Sequence, residues 1–256
     1  MKINIKNKKV LIVGASKNLG EDLAYQFNEL GCKIIMISRN ESNLKKIYKK
    51  IDGKKNGHDY FALDLLDGTQ LKNFLNSLNK KKITVDIIIH NIGGAMGVKD
   101  NLSNISDWIK VWKFNMGVSI QLNNYFIPNM VKKKWGRIIH VSSITGAIGE
   151  DINGPIPYSA SKAFLNNYIK SMGKFYANQN VVISGIMPGA LKSKGKFWAY
   201  QEKNNPKILN ELFNKRQSIG RLGLVKEISP FVILLASNHS TFASGTIIPV
   251  HGGWNY

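Results

Sequence analysis

Short apolar runs alternate with amphipathic segments along the chain. Val10–Val13 is a fully apolar run followed by glycine, which is typical of a strand buried on both faces of a parallel sheet. From Asn18 to Leu30 the apolar residues recur at helical spacing, and Gly31 follows as a helix-terminating glycine. This pattern predicts a first strand that leads directly into a first helix.

The same strand-then-helix pattern repeats through the rest of the sequence. Further strands are predicted at Ile34–Ile37, Tyr60–Leu63, Val85–Ile89, Arg137–Val141, Val181–Ile186 and Thr246–Val250. Helices are predicted from Asn40 (as N-cap) through Ile51, from about Thr69 to Leu78, Ser106 to Lys133 and Pro157 to Ala177, and from near Lys226. Such alternation forms right-handed βαβ units, so the predicted fold class is α/β, a doubly wound parallel, Rossmann-like sheet.

The domain organisation is predicted from the continuity of this alternation of strands and helices. We find no internal repeat, low-complexity tract or linker, so residues 1–256 are predicted to form a single domain. One segment, from Gly189 to about Gly223, lacks clear periodicity and is rich in lysine, glycine and aromatic residues. Long irregular segments in folded domains are commonly functional, so we predict a mobile substrate lid over about residues 189–223.

Composition narrows the class of protein. Hydrophobic residues make up 43% and charged residues 20% of the 256 residues, as in ordinary soluble proteins. No apolar run approaches the roughly 18 residues that a membrane helix needs, so no membrane partner is expected. The single cysteine, Cys32, excludes an internal disulfide and a cysteine-based zinc site, and we predict no metal site. These features favour a cytoplasmic protein.

The formal net charge of +20 raises the possibility of a nucleic-acid partner. However, only four of the cations are arginine, whereas recognition of bases and phosphates favours the arginine fork. The lysine runs Lys80–Lys82 and Lys132–Lys134 lie at predicted helix ends, where cations complement the helix dipole. We therefore predict no nucleic-acid partner, while an anionic substrate remains compatible with the charge.

A glycine-containing loop joins the first strand to the first helix. Its candidate binding residues are Gly14, Ser16, Lys17, Asn18, Leu19 and Gly20. A loop at this place can hold a dinucleotide pyrophosphate on backbone N–H groups and a helix N-terminus. Asn18 stands where a third glycine is usual, and asparagine tolerates a left-handed backbone better than most residues. Taken alone, the loop also fits a tight turn made for packing.

The end of the second strand indicates which dinucleotide fits better. A site that prefers NAD places a carboxylate there, but this sequence has Ser38 followed by Arg39. Arg39 and Lys17 are suited to bind a 2′-phosphate by charge-assisted hydrogen bonds, so NADP(H) is favoured over NAD(H). Asp64, which precedes Leu65, either bonds the adenine edge or caps the next helix.

A candidate catalytic pair opens the helix that follows the fifth strand. Tyr158 and Lys162 are four residues apart, which places the hydroxyl and the ammonium on one helix face. A nearby cation favours the phenolate and so lowers the pKa of a tyrosine from its ordinary value of about 10. Such a pair also occurs by chance on amphipathic surfaces, so the neighbouring motifs decide its meaning.

Those motifs occur in one order along the whole chain. They are the glycine loop, Asn91-x-Gly93, Asn115 within a long helix, Ser143 after the fifth strand, Tyr158-x-x-x-Lys162 and Pro188-Gly189. In this order the sequence resembles the short-chain dehydrogenases/reductases. It is most similar to the single-domain branch that includes 3-oxoacyl-carrier-protein reductases and sugar or steroid alcohol dehydrogenases.

This resemblance implies a role for each candidate residue. Tyr158 would exchange a proton with the substrate oxygen during hydride transfer, Lys162 would lower its pKa and bond the nicotinamide ribose, and Ser143 would polarise the substrate oxygen. The resemblance also makes Asn115 the anchor of a water in a proton relay through Lys162. The remaining implied cofactor contacts are Asn91, Gly93, Pro188, Gly189 and Ser193.

The function implied is an NADP(H)-dependent oxidoreductase that transfers a hydride between nicotinamide and a carbonyl or secondary alcohol. The alternatives are a non-catalytic NADP(H)-responsive binding protein and a nucleotide-sugar modifying enzyme. Resemblance further favours a homotetramer, or a homodimer through the long helices. Asn18, His90, Ile92 and His251 depart from the family pattern without removing a catalytic group, and a structural role is favoured for His90 and His140.

Two groups of residues bear on the substrate without identifying it. In the lid, lysines and aromatic residues lie together at Lys192, Lys194, Lys196, Phe197, Trp198 and Tyr200. They either attract an anionic substrate and cover it, or form a solvated loop that packs on the body. Trp254 and Tyr256 near the C-terminus are candidates for a subunit interface or a neighbouring site.

Overall fold

One parallel sheet lies at the centre of the computed structural model, which describes residues 2–149, 155–193 and 197–255. Within these residues the sheet has seven strands, in the order β3-β2-β1-β4-β5-β6-β7. They are β1 (Lys9–Val13), β2 (Lys33–Ser38), β3 (Asp59–Ala62), β4 (Ile87–His90), β5 (Gly136–Val141), β6 (Val181–Pro188) and β7 (Ile247–Val250). Every neighbouring pair is parallel, which confirms the predicted doubly wound α/β fold.

Helices cover both faces of this sheet. They are α1 (Asn18–Glu29), α2 (Glu41–Lys50), α3 (Gly53–Asn56), α4 (Gly68–Lys80), α5 (Ile105–Trp112), α6 (Val118–Lys132), α7 (Thr145–Ile148), α8 (Ile156–Tyr176), α9 (Phe197–Asn204), α10 (Pro206–Lys215) and α11 (Val225–Leu235). The predicted N-cap at Asn40 is confirmed, because its side chain accepts a hydrogen bond from Asn43 N at 2.8 Å. None of the helices in the described ranges is long and apolar enough to cross a membrane.

Strand side chains alternate between two hydrophobic cores. In β1, Val10 and Ile12 pack on one face with residues of α1, α2 and α11. Leu11 and Val13 pack on the other face with residues of α4 and α6. Because both faces of the central strands are covered, these strands are apolar throughout rather than alternating, as the sequence pattern indicated.

The long helix predicted from Ser106 to Lys133 is not regular. A π-helical turn, Lys113–Gly117, separates α5 from α6 and contains Asn115. Apolar spacing continues through this turn, so periodicity alone could not distinguish it from α-helix. Such turns are rare and are often found at functional sites.

The segment predicted to be irregular contains two helices, α9 and α10. The two ends of this segment, which we call the lid, are joined by backbone hydrogen bonds: Lys192 N donates to Gly223 O and Gly223 N donates to Ala190 O. The prediction of an irregular loop was wrong because the helices are short and α10 is amphipathic over only ten residues. Their apolar residues, including Leu209 and Leu212, are buried against the body.

The chain order creates a crevice at one sheet edge. From β1 the chain runs outward to β2 and β3, then returns to β4 on the other side of β1. The carboxyl ends of β1, β4, β5 and β6 therefore lie along one edge, at the switch point where open α/β sheets bind ligands. The glycine loop and the candidate catalytic residues follow these strand ends.

Candidate active site

The glycine loop is held tightly between β1 and β4. Gly14 has a positive φ of 90°, and the side chain of Asn91, after β4, donates to Gly14 O at 3.0 Å. A Cβ atom on Gly20 would lie 2.1 Å from Gly14 O, so only glycine allows α1 to start this close to the loop. Asn18 has a φ of 52°, which confirms that asparagine supplies the left-handed position here.

The N-terminus of α1 follows the glycine loop directly. Its N-cap residue, Lys17, makes no capping hydrogen bond with its side chain. The first N–H groups of a helix need an acceptor from outside the helix, and a phosphate is a suitable one. This loop and helix start therefore fit the pyrophosphate of a dinucleotide. The side chain of Leu19 is buried in the core, so a contact from this residue would use its backbone.

Two cations lie beside the contact between the glycine loop and the end of β2. Ser38 Oγ donates to Ser16 Oγ at 2.7 Å, which ties the end of β2 to the glycine loop. Lys17 and Arg39 are both exposed. Arg39 Nη1 lies 3.9 Å from Asp64 Oδ2, a weak surface pair that leaves the guanidinium accessible. The end of β2 thus presents cations and hydroxyls, an arrangement suited to a 2′-phosphate.

Asp64 does not cap the helix that follows it. Its carboxylate accepts from Leu66 N at 3.0 Å within a turn, whereas Asp67 accepts from Thr69 N and Gln70 N at the start of α4. The capping alternative for Asp64 was therefore wrong, because the N-cap of α4 is Asp67, three residues later. Leu65 is buried in the second core, so a ligand would meet its backbone.

Tyr158 and Lys162 lie together at the mouth of the sheet. Lys162 is 2% exposed, and its Nζ atom donates to Val141 O at the end of β5 at 2.9 Å. The same nitrogen lies 5.8 Å from the centroid of the Tyr158 ring. The half-buried tyrosine ring thus shares one helix face with an ammonium that is held against the strand end.

Gly93 and Asn115 complete the surroundings of this ammonium. A Cβ atom on Gly93 would lie 2.9 Å from Lys162 Nζ and 3.1 Å from Asn115 Oδ1, so the glycine leaves room for both side chains. Asn115 accepts from Gly94 N at 3.0 Å and donates to Gly94 O and Val111 O at 2.8 Å. The π-helical turn therefore carries an asparagine that ties the α5–α6 helix to the loop after β4.

The two serines after β5 have different environments. Ser142 is buried and donates to Asn166 Oδ1, as expected for a core-facing residue. Ser143 is half-buried, and its Oγ atom lies 3.1 Å from Thr145 Oγ1. Its loop is bonded to the end of β6, because Ile144 N donates to Pro188 O at 3.1 Å. The structure thus brings Ser143, Pro188 and Gly189 to one wall of the crevice.

A buried polar cluster lies beneath this site. The His90 and His140 rings stack with centroids 4.5 Å apart, and Asn123 Oδ1 bonds His90 Nε2 at 2.9 Å. Asn123 also donates to Tyr168 Oη at 3.0 Å. Burial lowers the pKa of His90 to about 4 and that of His140 well below its usual range, with the charge of Lys162 adding to the effect on His140. Both rings are neutral and structural, which agrees with the sequence expectation.

The lid residues divide between surface and body. Lys192 forms an ion pair with Glu202 at 2.9 Å, Tyr200 is exposed, and Trp198 packs against the hydrophobic cluster beneath the lid. Ser193 is half-buried. Lys194, Lys196 and the side chain of Phe197 lie outside the described residues, and so does Tyr256.

Trp254 is 7% exposed and is buried within its own chain, in the cluster that contains the lid residues Leu209 and Leu212. The last turn of the chain thus folds back onto the lid. A subunit interface or a neighbouring site for Trp254 stays a prediction. Sequence reasoning also missed Gln217, a buried residue beside Gly189. A glutamine within a polar segment has no periodic signal that would reveal its burial.

Comparisons with known proteins identify the family of the chain. The sequence model described as short chain dehydrogenase matches residues 8–203. The chain is 31% identical to the 3-oxoacyl-[acyl-carrier-protein] reductase FabG of Buchnera aphidicola over 98% of both chains.

Solved structures show the same fold. A 3-oxoacyl (acyl-carrier-protein) reductase of Agrobacterium tumefaciens with NADP bound has a TM-score of 0.86 at 22% identity, over 98% of this chain and 95% of that one. L-Sorbose reductase of Gluconobacter frateurii, complexed with NADPH and L-sorbose, has a TM-score of 0.87 at 21% identity, over 99% and 98%. The predicted class, a nicotinamide-dependent oxidoreductase acting on an alcohol or a carbonyl, is confirmed. The chain belongs to the short-chain dehydrogenase family.

Proposed function

We propose that the protein is an NADP(H)-dependent reductase of 3-oxoacyl or related carbonyl substrates. The observation that carries this proposal is the placement of Lys162 Nζ 5.8 Å from the centroid of the Tyr158 ring, beside the end of β5. Ser143 follows the same strand. A phenol, an ammonium and a hydroxyl thus gather where parallel strands end and ligands bind.

The chain offers two sets of contacts for the cofactor. The glycine loop (Gly14 to Gly20) and the N-terminus of α1 would bind the pyrophosphate, with Lys17, Ser38 and Arg39 around the 2′-phosphate. Asp64 and Leu65 would border the adenine. Around the nicotinamide and its ribose we place Asn91, Gly93, Tyr158, Lys162, Pro188, Gly189 and Ser193. Cations at the end of β2, rather than a carboxylate, support NADP(H) over NAD(H).

The chemistry divides among the chain's own residues. When bound, the nicotinamide supplies or accepts the hydride. Ser143 donates a hydrogen bond that polarises the substrate oxygen, and Tyr158 gives that oxygen its proton. Lys162 favours the phenolate that remains, because an adjacent cation stabilises a negative charge. Asn115, which is bonded to the loop of Gly93 and Gly94, anchors the water of the proton relay through Lys162. This relay returns a proton to the site.

Substrate class rests on the relatives and on charge. Several relatives of the chain, at 24% to 31% identity over nearly the whole length, are named 3-oxoacyl-[acyl-carrier-protein] reductases. The chain's net charge of +20 suits an anionic substrate carrier. We therefore place a 3-oxoacyl thioester first among the substrates.

An absorbance assay tests the proposal. Purified protein is mixed with NADPH and, in separate reactions, an acetoacetyl thioester, L-sorbose and simple ketones, and the loss of reduced nicotinamide is followed. We expect turnover of the thioester, with NADPH much preferred over NADH. Turnover confined to sugars would move the assignment to a sugar reductase. Absence of NADPH binding would contradict the proposal as a whole.

Two features support assembly into a homotetramer or homodimer. Ile105 and Ile109 of α5, one helical turn apart, are 74% and 45% exposed. Phe164 of α8, whose ring contacts Trp112 at the end of α5, is 47% exposed. A second copy of the chain would cover this apolar face. Light scattering of the purified protein measures the mass directly, and charged substitutions at Ile105 and Ile109 are expected to yield smaller particles.

We also propose a cytoplasmic location. The reaction draws on NADPH, which cells keep inside, and the Cys32 thiol is buried and donates to Ile5 O. Burial raises the pKa of this thiol to about 12, so it stays protonated and unreactive. Cell fractionation followed by immunodetection tests the location.

A further inference from the structure

Gln217 lies between the lid and the wall of the crevice. It follows α10 by two residues and is 1% exposed. Its backbone is part of the C-terminal turn, since residues 217 and 254 form an isolated antiparallel bridge. A neutral amide this deeply buried must satisfy its donors and acceptor inside the protein, because leaving them unpaired is costly.

The Gln217 side chain is bonded to both backbone groups of one residue. Ala190 N donates to Gln217 Oε1 at 2.8 Å, and Gln217 Nε2 donates to Ala190 O at 3.4 Å. Nε2 also donates to Arg221 O. The side-chain amide thus bonds the N–H and C=O groups of Ala190 in the way that the backbone of a neighbouring strand would. It can do so because an amide has both an acceptor and donors.

Ala190 is directly connected to the site. It follows Pro188 and Gly189, and Pro188 O accepts from Ile144 N, next to Ser143. A Cβ atom on Gly189 would lie 2.8 Å from Gln217 Oε1, so the glycine lets the amide approach the loop. Ala190 O also accepts from Gly223 N at 3.0 Å, at the far end of the lid.

We propose that Gln217 is a positioning residue that fixes the Gly189–Ala190 loop, and with it the wall of the crevice beside Ser143. The same side chain anchors both ends of the lid. This inference rests on the proposed contact of Gly189 with the cofactor. Without the amide, the buried Ala190 N loses its hydrogen-bond acceptor and Ala190 O loses one of its donors. The loop then shifts so that these backbone groups regain hydrogen bonds. A shift of about 1 Å near reacting atoms costs up to about 100-fold in rate.

The test uses two substitutions of similar size. Gln217→Leu removes all of the side-chain hydrogen bonds of this residue. Gln217→Glu keeps the side-chain acceptor and, when the carboxyl is protonated, regains one donor. A buried carboxyl has a raised pKa, so lowering the pH from 8 to 6.5 protonates a growing fraction of it. We expect kcat to fall about 10- to 100-fold in Gln217→Leu, with the Kd for NADPH changed less than about 3-fold.

For Gln217→Glu, the ratio of its kcat to that of the wild type is expected to rise as the pH falls from 8 to 6.5. Gln201→Leu is the matched control: Gln201 is a buried lid glutamine that accepts from Asn205 Nδ2, and none of the hydrogen bonds described for it reaches the Gly189–Ala190 loop. This control should keep kcat within about 2-fold. Unchanged kcat in Gln217→Leu would overturn the proposal. So would a parallel loss of kcat, NADPH binding and thermal stability in Gln217→Leu, if low pH also failed to raise the relative kcat of Gln217→Glu.

A readout without substrate separates this inference from the proposed function. The fluorescence of bound NADPH reports the surroundings of its ring, and we expect Gln217→Leu to change it at saturation while Gln201→Leu does not. If the wild type binds NADPH but reduces no thioester, the proposed substrate class fails and this fluorescence decides the role of Gln217. Equal fluorescence in all three proteins would contradict the positioning role.

Discussion

At the scale of single residues, the proposed site centres on a lysine that is almost fully buried. Lys162 is held by a backbone carbonyl, next to a glycine that leaves it room. The lysine charge lies next to the Tyr158 phenol at the end of β5. This placement is why we propose Tyr158 and Lys162 as a functional pair rather than a surface pair.

Replacing Tyr158 tests this assignment. Tyr158→Phe removes the hydroxyl and keeps the ring, so we expect turnover to fall by about 100-fold or more while NADPH binding changes little. Steady-state kinetics and fluorescence titration measure the two effects. A variant with wild-type turnover would rule out Tyr158 as the proton donor.

Charge reversal at Arg39 tests the choice of cofactor. Arg39→Glu places a carboxylate where a 2′-phosphate would lie, so we expect NADPH binding to weaken about 10- to 100-fold and NADH binding to weaken far less. The two dissociation constants, measured at the same ionic strength, give the comparison. Lys46→Glu, on the exposed surface of α2, is a control for net charge. Equal losses for the two nucleotides would contradict the 2′-phosphate contact.

At the scale of elements, the start of α1 depends on one glycine. The ideal Cβ position on Gly20 is 2.1 Å from Gly14 O, and this contact is with backbone that cannot rotate away. The glycine loop, α1 and the side chain of Asn91 therefore form one tightly packed unit.

Gly20→Ala should separate α1 from the loop. We expect the free energy of unfolding to fall by about 1–3 kcal/mol through overpacking, and NADPH binding to weaken as the loop moves. Gly68→Ala is the control, because Gly68 also lies in the first turn of a helix and its Cβ would meet no atom within 4 Å. Urea unfolding and NADPH titration measure both variants. An alanine tolerated equally at both positions would contradict the packing argument.

The elements also show where sequence reasoning succeeded and where it failed. Strands and the longer helices were predicted to within a few residues. Burial of both faces gives the central strands continuous apolar runs, and burial of one face gives a helix its helical period. The π-helical turn at Asn115 was missed because its apolar spacing matches that of an α-helix. The helices of the lid were missed because their apolar residues are few and meet partners distant in the sequence.

At the scale of the whole molecule, stability depends on pH through the buried histidine pair. His90 and His140 are neutral in the folded state, and the charged or titratable groups around them are Lys162 and Tyr168. The unfolded chain binds protons at histidine below a pH of about 6.5, whereas folded His90 binds one only near its pKa of about 4. Unfolding therefore takes up protons in this range, and acid favours the unfolded state.

We expect the free energy of unfolding to be constant above pH 6.5 with respect to these groups and to fall as the pH drops toward 4. The contribution of His90 to this loss is at most on the order of 3 kcal/mol. Urea unfolding at several pH values measures the slope. His140→Asn should reduce the slope while His239→Asn, at an exposed histidine, should not. An equally steep slope in His140→Asn would contradict the assignment.

The sequence by itself determined the family, the order of strands and helices along the chain, and the candidate residues at the strand ends. These follow from local periodicity and from motifs of fixed spacing, both of which are properties of neighbouring residues. Only the tertiary structure decided the burial of Gln217, the stacking of His90 on His140 and the burial of Trp254 within its own chain. Each of these depends on a partner far away in the sequence, and the free energy of such a contact is set by the packing of the whole fold.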